Sequence, residues 1–256
     1  MPLTQPGVAV VTGGSSGIGA ATARALARRG WRLVLLARGE ERLRAVAEEL
    51  NAEAEPCDVA DRDAVERVAA AVRERHPAIK LLVNNAGISG RGGGFLDLSP
   101  ERIEQLARTN YLGSVWCTRA FLPALEAGAP ADVVTIVSVA GTVAAGHASA
   151  YTASKHAQLA FSRGVGIELA PRGIRAHTVN PGFVDTPGFP NRARFGRRLG
   201  RLVAEPEAVA VAVLRAVEHN RTEQFVPWWY RPAAVAQAVA PGLLARAARR
   251  IRPTQS

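Results

Sequence analysis

Tyr151 and Lys155 stand four residues apart in the run Tyr151-Thr152-Ala153-Ser154-Lys155. On a helix that spacing puts both side chains on one face, a turn apart. A free phenol has a pKa of about 10 and moves protons poorly at neutral pH. An ammonium held beside it favours the phenolate, so the spacing predicts a lowered Tyr151 pKa and a phenol fit for proton transfer. Thirteen residues upstream, Ser138 follows the apolar run Val133-Val134-Thr135-Ile136-Val137, which reads as a buried strand. A hydroxyl at the carboxyl end of such a strand stands where open α/β sheets hold their ligands. The competing reading is a surface Tyr and Lys at turn spacing, and the rest of the chain decides between the two.

The elements that must position these residues alternate between strand and helix, which predicts βαβ units and a parallel sheet. Val8 to Val11 is the first strand and Ile18 to Arg29 the first helix, stopped by Gly30. Strand-like segments follow at Arg32 to Ala37, Glu53 to Cys57, Ile79 to Val83, the run before Ser138, Gly173 to Val179 and Gln224 to Val226. Helices are expected at Glu40 to Leu50, from the N-cap Asp61 to Arg75, from Pro100 past Trp116, Ser149 to Leu169 and Glu207 to Glu218. No repeat, linker or second domain is visible, and residues 1–231 read as one unit with a helical extension at 232–256.

Composition excludes several classes. The 256 residues are 48% apolar and 21% charged, as in a soluble globular protein. No run approaches a membrane span. A strand beginning at residue 8 leaves no room for a secretory leader, which sets the expectation of the cytoplasm. Cys57 and Cys117 lack metal or disulfide spacing. The net charge of +10 raises nucleic acid as a partner. However, thirty of the thirty-two basic residues are scattered Arg, and no aromatic-lined basic groove is readable, so none is expected.

Between the first strand and helix lies Thr12-Gly13-Gly14-Ser15-Ser16-Gly17-Ile18-Gly19. Glycines there let the backbone turn sharply and approach a pyrophosphate held on the helix N-terminus. With TGGSSGIG at 12–19, the chain carries NNAG at 84–87, Ser138, YTASK at 151–155 and PGFVDTP at 181–187. In order and spacing these motifs resemble the short-chain dehydrogenase/reductase family. The resemblance implies a single-domain, doubly wound Rossmann fold with a seven-stranded parallel sheet flanked by helices. It also implies a nicotinamide cofactor and chemistry at a carbinol carbon.

An acidic residue at the end of the second strand would accept hydrogen bonds from a ribose 2′-OH and repel a 2′-phosphate. Here that end reads Leu36-Ala37-Arg38, so NADP(H) is the expected cofactor, held by a charge-assisted contact with Ser15 as a second one. By resemblance, Asp58 and Val59 meet the adenine, and Asn85, Ala86 and Gly87 line the adenosine ribose. Pro181, Gly182, Val184 and Thr186 cover the nicotinamide, and Lys155 binds its ribose. Gly13, Ser16, Gly17, Ile18 and Gly19 complete the cofactor set. Asn110, an Asn inside a helix where a bend is expected, matches the family residue that links the Lys to solvent through water. Tyr151 is then the acid/base and Ser138 the donor to the substrate oxygen.

The expected reaction is reduction of a largely apolar ketone or aldehyde, with NAD(P)+-dependent alcohol or steroid-type dehydrogenation as the alternative. A non-catalytic dinucleotide sensor is the further one. Substrate is expected between Ile88–Phe95, Thr142–Ser149 and a lid at about 188–204. His147 reads as a loop residue. Arg192, Arg194, Arg197, Arg198 and Arg201 read as a solvated lid face or an anion site. In the extension, Leu243, Leu244, Ala247, Ala248 and Ile251 share a face opposite Arg246, Arg249 and Arg250. That helix can lie on an anionic membrane surface, or pack on the lid or a partner subunit. A strip of small residues, Ala153, Ala157, Ala160 and Gly164, predicts a homodimer or homotetramer.

Overall fold

The structure, a computed structural model, describes residues 6–90, 94–144, 148–187, 200 and 203–250, with backbone alone for 247–250. Seven strands form one parallel sheet in the order β3-β2-β1-β4-β5-β6-β7. They are β1 Val8–Thr12, β2 Arg32–Ala37, β3 Glu53–Pro56, β4 Leu81–Asn84, β5 Ala131–Ile136, β6 Ile174–Pro181 and β7 Glu223–Val226. Sequence places most strand ends within two residues; the fourth strand begins at Leu81, not Ile79. Both faces of the central strands are buried, which is why they read as continuous apolar runs rather than alternating ones.

Helices cover both faces. On one, α1 Gly17–Ala27 and α2 Glu40–Leu50 bury Leu26 and Leu43 over β1 and β2, while α7 Pro206–Glu218 buries Val213 between α1 and the β5–β7 side of the sheet. On the other, α3 Arg62–Arg75, α5 Gly113–Ala127 and α6 Ser149–Leu169 bury Val72, Phe121 and Leu169. Asp61 caps α3 as expected, accepting from the backbone of Asp63 and Ala64. Ser99 and Pro100 start α4, Pro100–Ala107.

The expected continuous helix from Pro100 is interrupted. Residues Arg108–Leu112 form a π-helical turn centred on Asn110, with α5 continuing beyond it. Such one-residue insertions re-aim side chains and recur at functional sites. After β7 come the turn Trp228–Tyr230, α8 Arg231–Val239 and α9 Pro241–Arg250. The strand order reverses between β1 and β4, and a crevice opens there at the carboxyl ends of the strands.

Candidate active site

The crevice is a cleft of about 630 Å³. Of the residues assigned to the cofactor from sequence, Gly13, Ser15, Ser16, Gly17, Ile18, Arg38, Asp58, Val59, Asn85, Ala86, Gly87 and Thr186 line it. Gly13 and Gly17 have φ of +68° and +52°, which a side chain would strain. Ser16 precedes α1 without a side-chain cap, so the helix N–H groups stay free for an anion. Asn85 donates to the carbonyl of Thr12 at 2.8 Å, and the Thr12 hydroxyl accepts from the backbone of Asn85 and Ala86. These bonds lock β4's end to the glycine turn. The bare turn, the uncapped N-terminus and the long cleft fit a dinucleotide.

Gly19, also assigned to the cofactor from sequence, sits behind the turn. It does not line the cleft; a Cβ there would lie 2.1 Å from the Gly13 carbonyl oxygen, so its bareness lets α1 close on the turn. Arg38 faces Asp58 at 3.8 Å across the cleft, both about half exposed. Sequence reading missed Arg42, which also lines the cleft and lies against Gly39. A signal was present: a cation in a helix's first turn opposes the macrodipole, and Arg42 follows Glu40 and Glu41 there.

Beside the cleft, and sharing Ile18, Asn85, Gly87, Ile88 and Thr186 with it, is a smaller pocket of about 190 Å³. Ser138, Tyr151, Lys155, Pro181, Gly182 and Val184 meet in it. The Ser138 hydroxyl donates to the Pro181 carbonyl at 3.3 Å and accepts from the backbone N–H of Ala140 at 3.1 Å. Asn110 accepts from the N–H of Ile88 at 2.8 Å and donates to the Ile88 carbonyl and the Ser154 hydroxyl. It thus anchors the segment behind which Lys155 lies; a Cβ on Gly87 would come within 3.6 Å of Lys155 Nζ.

The protonation chemistry differs from expectation. Burial pushes the Tyr151 phenol up, and the opposing pull is the Ser138 hydrogen bond, not Lys155. Burial pushes the Lys155 ammonium down to about 7. The Lys155 hydrogen bonds run to the Ile136 carbonyl and to Gln158. His147, Arg91 and the lid arginines Arg192, Arg194, Arg197, Arg198 and Arg201 lie outside the described residues.

Fold and cleft together define a doubly wound, dinucleotide-binding protein. The family model for short chain dehydrogenases matches residues 7–194, and the chain belongs to that family of oxidoreductases. It is 42% identical over 188 residues to a Streptomyces coelicolor protein with a provisional ketoacyl reductase name, covering 70% of this chain and 71% of that one. It is 36% identical over 241 residues to dehydrogenase/reductase SDR family member 7B of Xenopus laevis, covering 87% and 74%. Among solved structures, an alcohol dehydrogenase of Thermococcus sibiricus complexed with 5-hydroxy-NADP superposes with a TM-score of 0.75 at 31% identity, covering 85% of this chain and 94% of that one. A short chain dehydrogenase of Burkholderia cenocepacia in complex with NADP gives 0.77 at 29%, covering 87% and 96%.

Proposed function

We propose that the chain is an NADP(H)-dependent reductase of a largely apolar ketone or aldehyde. The observation that carries this is the meeting of Ser138, Tyr151 and Lys155 in one pocket that opens onto the dinucleotide cleft. Bound in that cleft, the cofactor would supply hydride. Arg38 and Arg42, with no acid at the end of β2, support the 2′-phosphorylated form. The NADP and 5-hydroxy-NADP complexes of the two solved relatives agree with that choice.

Tyr151 gives its proton to the substrate oxygen, and the raised phenol keeps that proton available at neutral pH. Ser138 donates to the same oxygen as charge develops on it. Lys155, charged, stabilises the phenolate left behind. Ile18, Ile88, Ile136, Val137 and Val184 give the pocket apolar walls, which favour an apolar substituent on the carbonyl. The exposed face of α6, with Ala153, Ala160 and Ile167 facing solvent in the single chain, is read as the contact of a homodimer or homotetramer.

The test is a panel of ketones and aldehydes followed by NADPH absorbance, with NADH in parallel. Turnover with NADPH is expected. Tyr151→Phe is expected to lower it by about 10²- to 10⁴-fold while NADPH still binds. Unchanged turnover in that variant refutes the reading.

A further inference from the structure

An ammonium has three protons and no acceptor. Among the described residues, Lys155 spends two of them inside the protein. One goes to the Ile136 carbonyl at 3.3 Å and one to Gln158 Oε1 at 2.8 Å. Because Lys155 only donates, the amide of Gln158 is fixed with its oxygen toward Nζ. Its nitrogen then donates to the Ser114 hydroxyl at 2.7 Å, and Ser114 donates on to the Asn110 carbonyl at 3.5 Å. The line ends on the π-helical turn, two elements away from where it starts.

Gln158 is 0% exposed and Ser114 4%. A fully buried amide is costly unless both its ends are bonded, and here both are. The titratable neighbour in the pocket is Tyr151, one turn back on α6. What β5, the segment after β4 and the π-turn bring close to Lys155 is Ile136, Gly87 and Asn110, none of them charged. Among the described residues nothing ionic therefore offsets the burial of the ammonium, and a side-chain amide dipole stands where a carboxylate would otherwise be needed.

We propose that Gln158 is a positioning residue for Lys155: its amide oxygen holds the ammonium in place and keeps it charged in a site whose dryness favours the neutral amine. An amide neither gains nor loses a proton near neutral pH, so the line through Ser114 holds the ammonium rather than conducting protons. The inference rests on Lys155 acting as a cation in the proposed reaction, but its test does not need turnover.

The chain has two lysines, Lys80 and Lys155, so 13C-labelled lysine gives two resolvable Cε signals. The full chain is titrated without cofactor. Gln158→Glu, which keeps size and adds charge, is expected to move the Lys155 midpoint up by about one pH unit or more. Gln158→Met, which removes the acceptor, is expected to move it down, and Lys80 is expected to stay fixed in both. The alkaline limb of carbonyl reduction should follow in the same directions. A Lys155 midpoint that is the same in wild type and in Gln158→Glu overturns the proposal, even if Gln158→Met fails to fold. Loss of the reductase reading would show instead as undiminished turnover in Tyr151→Phe, leaving the titration to decide Gln158 by itself.

Discussion

Lys155 is 5% exposed and its ammonium is held down to about 7, against 10.5 for the free side chain. Between those values the unfolded chain binds a proton that the folded chain does not, so stability rises with pH across that window. Below about pH 7 the folded chain bears the full cost of the buried charge. Each pH unit in the window is worth up to about 1.4 kcal/mol. Lys155→Met removes this dependence. The variant also leaves Gln158 Oε1 without its donor, a cost that does not change with pH, so the trend is the readout. Relative to wild type the variant is expected to lose stability as pH rises from about 7 to about 10, as urea midpoints at stepped pH would show. A constant difference across the range would contradict the assignment. The Tyr–Lys spacing was legible because a helix fixes the geometry of i and i+4 from sequence alone. The direction of the Tyr151 shift was not, because it depends on how much water the folded site excludes and on Ser138, thirteen residues away.

At the scale of elements, the cleft depends on α1 meeting the glycine turn at very short range. Gly19 sits where a methyl group would fall 2.1 Å from the Gly13 carbonyl and 2.5 Å from Asn85 Nδ2. Neither neighbour can withdraw, since Asn85 is bonded to Thr12 and Gly13 is in the backbone of the turn itself. Gly19→Ala is therefore expected to cost about 1–3 kcal/mol and to weaken NADPH binding at least tenfold, read by thermal melting and cofactor fluorescence. Normal affinity in that variant would mean the turn is looser than its contacts indicate. Gly182 makes the matching point at the other wall: a methyl there would overlap the ring of Tyr230, 2.1 Å from its Cε2. The glycine-rich turn and the succession of strands and helices along the chain could be read locally, from β-branched runs, caps and spacing; the order of the strands in the sheet could not. At Asn110 a mid-helix Asn signalled a bend, but not the π-helical form that the bend takes. The Tyr230–Gly182 and Gln158–Ser114 contacts could not be read, because they join segments forty or more residues apart and no local pattern encodes them.

At the scale of the molecule, the segment after β7 is where the body of the fold ends and a different surface begins. Trp228, Val235, Val239 and Leu243 are 74%, 53%, 75% and 65% exposed, while Tyr230 beside them packs onto Gly182. Residues 228–250 contain no acid, and Arg231 and Arg246 are exposed among these apolar groups. A two-fold contact between copies sets a patch against itself, so here it would bring arginine toward arginine at both ends. An anionic bilayer would present no such conflict: indole and aliphatic side chains would enter the headgroup region while guanidinium groups stayed at the phosphates. A chain ending at residue 231 keeps Tyr230 and every cleft and pocket residue. It is expected to bind NADPH and to reduce carbonyls like the full chain, and to keep the same number of subunits by light scattering. It is expected to lose any sedimentation with phosphatidylserine vesicles that the full chain shows at low salt, and that sedimentation should fall as salt rises. Equal sedimentation of both chains would remove the bilayer as the surface's partner. A truncated chain that instead dissociates into monomers would place a second subunit there, and the α6 face would no longer suffice to hold the assembly together.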